Sequence, residues 1–166
     1  MQCVNLLRKR AKVDAADRWN PVQLSIVQTI LVKSTDAAVI AAASAALSEA
    51  DGYRLIYCDD DRTAIRRMDE VLVNLFLHDC GDGTEVDESA LIHSRLAHTS
   101  CARIVVFDPA RTPQGFELAN RTAAFVFLFK PLDPAQLGVI AKRALEQAEL
   151  ARRHRILSRE LKLSLD

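Results

Sequence analysis

Five short apolar runs alternate with longer stretches of helical composition, and this alternation constrains the fold more than any other feature of the chain. The runs cover 26–32, 53–58, 72–77, 104–107 and 125–129. Each is nearly continuous in apolar residues and too short for a buried helix, as a strand covered on both faces should be. Between them, 36–50, 62–70, 87–97 and 113–121 have helix length, and several open on an Asp or Pro suited to a first turn. The stretch after Asp36 is dense in Ala, the strongest helix former. Connections long enough to hold a helix join strands in parallel, with right-handed crossovers and helices on both faces. The expected fold class is α/β, a doubly wound parallel sheet of five strands.

A chain of 166 residues has room for one such domain and two extensions. Residues 1–27 form an N-terminal arm whose LLRKRAKVDAADRW segment reads as a short amphipathic helix ending near Asn20-Pro21. The domain itself spans 28–147. From Pro134 to Asp166 the sequence has no further Pro and no Gly after Gly138. Leu137, Ala141, Ala144, Ala148, Ala151, Leu157 and Leu161 fall near helical or heptad spacing in it. Its first half is expected to cover the sheet. Residues 148–166 outrun a domain of this size, so they are expected either to pair with a second copy as a homodimer or to lead toward a further segment.

The charges limit the partners. Twenty-two Lys and Arg balance twenty-two Asp and Glu, which excludes a surface built throughout to grip nucleic acid or an anionic membrane. The balance is a sum of opposites. Residues 51–88 hold eleven acids against four Arg, and 142–166 hold seven bases against four acids. No run reaches the length of a membrane span, and the basic cluster near the N-terminus follows the short apolar run instead of preceding it, the reverse of a secretion signal. The expected location is the cytoplasm. Cys3, Cys58, Cys80 and Cys101 are scattered without a CxxC and read as reduced thiols.

In an open doubly wound sheet the ligand site lies beyond the carboxyl ends of the strands. The residues there are Lys33-Ser34-Thr35-Asp36, Asp59-Asp60-Asp61, His78-Asp79-Cys80, Asp108-Pro109 and Lys130-Pro131. With this arrangement, 28–147 resembles the receiver domain of bacterial two-component response regulators (CheY-like). Ile30-Leu31-Val32-Lys33 is similar to the first strand, GYRLIYCDDDRTAI (52–65) to the second strand and its helix, and Leu75-Phe76-Leu77-His78-Asp79 to the third strand ending in a phosphoacceptor. The most specific match is AAFVFLFKPLDP (123–134): a small pair, an aromatic, a fifth strand, Lys-Pro and the start of the last helix. The resemblance implies a flavodoxin-like (βα)5 sheet of order 2-1-3-4-5 and a role in two-component signal transduction, with no catalytic residues of its own. Its implied partners are a histidine kinase or other signalling protein, met on the face of the fourth helix, fifth strand and last helix. An output domain, and nucleic-acid contact through it, would lie outside these residues.

The resemblance also assigns site positions. Asp79 stands at the phosphoacceptor position and Lys130 at that of the lysine that pairs with a phosphoryl oxygen. Ser34 and Thr35 stand where the family has an acid pair for a magnesium ion, leaving Asp36 and Asp79, with Asp59 of the acidic run after the second strand, as the carboxylates to hold Mg2+. Asp108 stands at the switch Ser/Thr position, where a carboxylate repels a phosphoryl group. Two functional readings follow. One is a degenerate, phosphorylation-independent receiver acting through protein contacts and dimerisation, with Asp108 pairing with Lys130 as a fixed substitute for phosphate. The other is a receiver that still accepts phosphate on Asp79 from a histidine kinase. Loss of the metal carboxylates and of the switch hydroxyl favours the first. A flavodoxin-like nucleotide or flavin binder shares the topology, but no Gly-rich phosphate loop supports it.

Other polar residues have plainer readings. The Asp59-Asp60-Asp61 run reads as a solvated turn with a helix N-cap. His78 and Cys80 read as a core and a loop residue flanking Asp79, and His93, His98 and Cys101 show no metal-ligand spacing. Trp19 reads as the anchor of the arm, and Arg152-Arg153-His154-Arg155 as a solvated helix face.

Overall fold

The computed structural model describes residues 27–81 and 85–164. Its strands are β1 (Gln28–Lys33), β2 (Tyr53–Cys58), β3 (Leu75–Asp79), β4 (Ala102–Phe107) and β5 (Val126–Phe129). They alternate with helices α1 (Ala37–Ala46), α2 (Asp61–Glu70), α3 (Ser89–Ala97), α4 (Thr112–Thr122) and α5 (Pro134–Leu163). All strand pairs are parallel and the order is β2-β1-β3-β4-β5, as the alternation and the resemblance imply.

Strand alternation sorts the core into two layers. Ile30, Val32, Leu75, Leu77, Ile104 and Val106 face Val39 and Ala43 of α1 and Leu137, Ala141 and Ala144 of α5. Leu31, Phe76, Val105 and Phe107 face Ala64 and Met68 of α2, Ala90 and Leu91 of α3 and Leu118 of α4. The central strands β3 and β4 are buried at every position, which explains the continuous apolar runs 75–77 and 104–107 within them.

Two boundaries differ from the sequence expectation, and the long last helix is as expected. The third strand occupies 75–79, because Leu72 is an exposed residue of the link from α2, and Asn74 then joins β1 through Thr29 N–H to its Oδ1 at 2.8 Å. The first helix stops at Ala46, and a short 3-10 turn, Glu49–Asp51, leads to Gly52 at φ 84°, a left-handed conformation that glycine adopts without strain. The last helix runs unbroken for 30 residues. Its buried positions are Leu137, Ala141, Ala144 and Leu145, while Leu150, Ile156, Leu157, Leu161 and Leu163 are exposed. The amphipathic arm, with Cys3 and Trp19, lies outside the described residues. Among the described residues no helix is long and apolar enough to cross a membrane.

Leu137 is the point where α5 locks onto the sheet, and it is fully buried beside Ala141 and Ala144. Leu137→Ala is expected to lower unfolding free energy by about 3 kcal/mol, read from the urea midpoint at unchanged m-value.

Candidate functional site

The carboxyl ends of β1, β3 and β5 bring the polar residues together, and the pleat divides them between the two sheet faces. Asp79 continues the Leu75 and Leu77 side, toward α1 and α5. His78 continues the Phe76 side, toward α2 and α3, in register with Lys33 on the neighbouring strand. One group of contacts therefore forms around Asp79 and another around His78.

Asp79 is buried, and three donors reach its carboxylate. Ser34 Oγ donates to Oδ2 at 2.6 Å, Gly81 N–H donates to Oδ1 at 2.9 Å, and Lys130 Nζ lies 3.1 Å from Oδ1. Lys130 also donates to Asp36 Oδ2 at 3.0 Å. Asp36 in turn caps α1 through Ala38 N–H at 2.8 Å. The hydrogen bond from Lys130, followed by that from Ala38 N–H, holds the Asp36 carboxyl below its ordinary value. Burial acts to lower the Lys130 pKa, but its hydrogen bonds and charge interactions with Asp36 and Asp79 outweigh this and raise it.

Around His78, Asp61 is the hub. It is buried in the first turn of α2, where Oδ1 accepts from His78 Nε2 at 3.0 Å and lies 3.5 Å from Lys33 Nζ. Its Oδ2 accepts the Ala90 N–H at 2.8 Å at the start of α3. Burial acts to raise the Asp61 pKa, and His78, the Ala90 N–H and Lys33 more than offset it, leaving the carboxyl lowered. Lys33 also donates to the main-chain carbonyl of Asp79 at 2.9 Å, which joins the two groups of contacts. Beside them Cys80 is buried, and its thiol is pushed up to about 12, so it stays protonated at neutral pH.

The structure therefore brings Ser34, Asp36, Asp79 and Lys130 together and leaves Thr35 and Asp108 apart. Thr35 is exposed at the start of the α1 loop. Asp108 caps the short Pro109–Arg111 turn by accepting from Ala110 N–H at 2.8 Å. The expected Asp108–Lys130 pair does not form, because Asp36, anchored at the α1 N-terminus, reaches Lys130 first.

Lys33, Asp61 and His78 are the residues that sequence reasoning missed. A signal for Asp61 was present: it lies on one helical stripe with Ala64 and Met68, so it faces the core instead of solvent. The solvated-turn reading holds for Asp60, which caps α2 through Thr63 N–H at 2.6 Å.

A hard dication needs about six oxygen ligands at short distance. Here the Asp79 and Asp36 carboxylates converge on the Lys130 amine, and the Lys33 amine occupies the space beside the Asp79 carbonyl. Among the described residues, carboxylates already paired with the two lysine amines do not offer Mg2+ the oxygen ligands it requires.

No family model matches the sequence, and no curated protein is significantly similar to it. Among solved structures the chain is similar to the signal receiver domain of an HD domain-containing protein from Pseudomonas fluorescens Pf-5, with TM-score 0.70, 18% identity, and 81% of this chain and 98% of that one covered. A CheY-like response regulator receiver domain protein from Methanospirillum hungatei JF-1 gives TM-score 0.64 at 19% identity over 75% of this chain and 98% of that one. NtrX from Brucella abortus, solved in complex with ADP, gives TM-score 0.67 at 19% identity over 78% of this chain. The chain spans only 29% of the length of that NtrX chain. The fold is thus that of response regulator receiver domains, flavodoxin-like in strand order.

Removing Asp61 leaves buried His78 without its carboxylate and Lys33 with the Asp79 carbonyl alone. Asp61→Ala is expected to cost about 3 to 5 kcal/mol at pH 7 by chemical denaturation. Because the folded-state pKa is lowered, the carboxylate's contribution is complete above the ordinary value of 3.8 and is lost as pH falls through the lower folded value. The gap between wild type and variant should therefore narrow in acid.

Proposed function

We propose that this chain is a degenerate receiver domain that serves two-component signalling in the cytoplasm without phosphorylation of Asp79, acting through protein contacts and self-association. The observation that carries this reading is Lys33. Its amine lies 2.9 Å from the Asp79 carbonyl and 3.5 Å from Asp61, at the strand end where the family places metal-binding acids. Phosphoryl transfer to a carboxylate depends on positive charge fixed around the transferring group. In this site Lys130 is divided between Asp36 and Asp79, and the Ser34 hydroxyl already holds Asp79 Oδ2. The built-in ion pairs hold one state of the site, and at the switch position Asp108 caps the Pro109–Arg111 turn and offers no hydroxyl to follow a phosphoryl group.

Two surfaces support a role in contacts. On the face of α4 and β5, Phe116, Phe125 and Phe129 are exposed, with Phe116 and Phe129 stacked edge-on against Phe127. This face suits a signalling protein partner or an output domain. The exposed leucines of α5 from Leu150 onward fit pairing with a second copy.

Two measurements test the proposal. Incubation with a small-molecule phosphodonor and Mg2+ should leave the intact mass unchanged; a phosphate-sized increase that disappears in Asp79→Ala would establish the phosphorylatable reading in its place. Light scattering should give a dimer, converted to monomer by Leu157→Glu with Leu161→Glu, whereas a wild-type monomer would remove self-association from the proposal.

A further inference from the structure

On the outer surface of α2 and α3, away from Asp79, two histidines and a carboxylate converge. Asp69, in the last turn of α2, places one oxygen, Oδ1, 2.8 Å from His93 Nε2 and 3.1 Å from His98 Nε2. His93 comes from α3. His98 is the residue that ends that helix, and its non-helical backbone, φ −123° and ψ 62°, accompanies a ring placed 5.3 Å from that of His93. The ligand atoms of all three side chains lie within 4.8 Å of one another. Cys101, which the sequence sets near them, is buried elsewhere, with its thiol on the Ala102 carbonyl. The spacing of His93 and His98 gave no metal signal because the third member comes from another helix.

We propose that Asp69, His93 and His98 form a three-ligand site for a transition-metal dication of the zinc class. Two imidazole nitrogens and one carboxylate oxygen are the donors such ions prefer, whereas Mg2+ and Ca2+ select oxygen. Zinc bonds of about 2.0 to 2.2 Å to N and O set ligand atoms about 3.3 Å apart in a tetrahedron. The present 2.8 and 3.1 Å separations need to open by only a few tenths of an ångström. Binding requires each Nε2 to give up its hydrogen, and a neutral imidazole does so by moving it to Nδ1, with no net proton released. The imidazoles are 28% and 26% exposed and the carboxylate 54%, so an ion can enter and one coordination position faces water. Such an ion ties the C-terminal ends of α2 and α3, at the opposite end from the Asp61 bond to Ala90 N–H.

The test is calorimetric titration of Zn2+ into the tag-free full chain, with thermal unfolding followed in parallel. The expected result is one saturable site per chain and a melting temperature that rises with Zn2+ concentration. His93→Gln and His98→Gln should each weaken binding by at least about ten-fold, since loss of a direct ligand costs no less than loss of an outer partner. Co2+ should give visible absorption bands that the same variants abolish. Absence of saturable binding overturns the proposal, as does binding undiminished in the His93→Gln, His98→Gln double variant. Asp69→Asn, at an exposed position, provides the same reading if the double variant fails to fold: weaker binding supports the site and unchanged binding overturns it.

Discussion

A parallel sheet covered by helices on both faces leaves its strand ends as the place where charge can gather, and charge buried there must be matched within hydrogen-bond reach. Two carboxylates meet this condition on opposite sides of the sheet. Asp79 faces α1 and α5 and takes Lys130, while Asp61, on α2, faces the sheet and α3 and takes Lys33 together with His78. Lys33 is bonded to the Asp79 carbonyl as well, so the two pairs share one framework. Positive charge that could otherwise arrive with a soluble ion is supplied by the polypeptide itself.

The same matching organises the helices. Asp61 belongs to α2 but accepts the Ala90 N–H in the first turn of α3, and Asp36 caps α1 while holding Lys130 beyond β5. Each carboxylate thus fixes a helix terminus and a lysine at once. At the other edge of the sheet, Arg103 is buried on β4 and its guanidinium donates to the Ser94 and Cys101 carbonyls and to Ala123 at the end of α4. Burial lowers its pKa, yet an arginine remains charged at any physiological pH.

The fold was legible because buried parallel strands and their crossover helices leave a strong pattern. Asp79, Lys130 and Ser34 were legible as site positions because each directly follows or ends a strand. The charge relations were not. That Asp36 and not Asp108 meets Lys130 depends on where the α1 N-terminus sits relative to β5, a separation of 94 residues in sequence. Lys33 read as the end of a strand, and only its register with His78 shows which carboxylate it joins. Asp69, His93 and His98 come together through the packing of two helices, which no local spacing records.

The single helix α5 begins at Pro134, four residues after Lys130, and continues for 30 residues to Leu163. At 1.5 Å per residue it is a rod of about 45 Å. It runs from the charged edge of the sheet past the opposite edge, where Arg155 still touches Ser100 at 3.2 Å. A rod held in its first turns by Leu137 to Leu145 converts a small tilt there into a larger sweep at its far end. With about 20 Å of helix beyond Leu150, a tilt of about 10° displaces its tip by about 4 Å. That sideways shift is a large fraction of the roughly 8 to 10 Å between the axes of packed helices, enough to loosen or tighten leucine contacts across a helix pair.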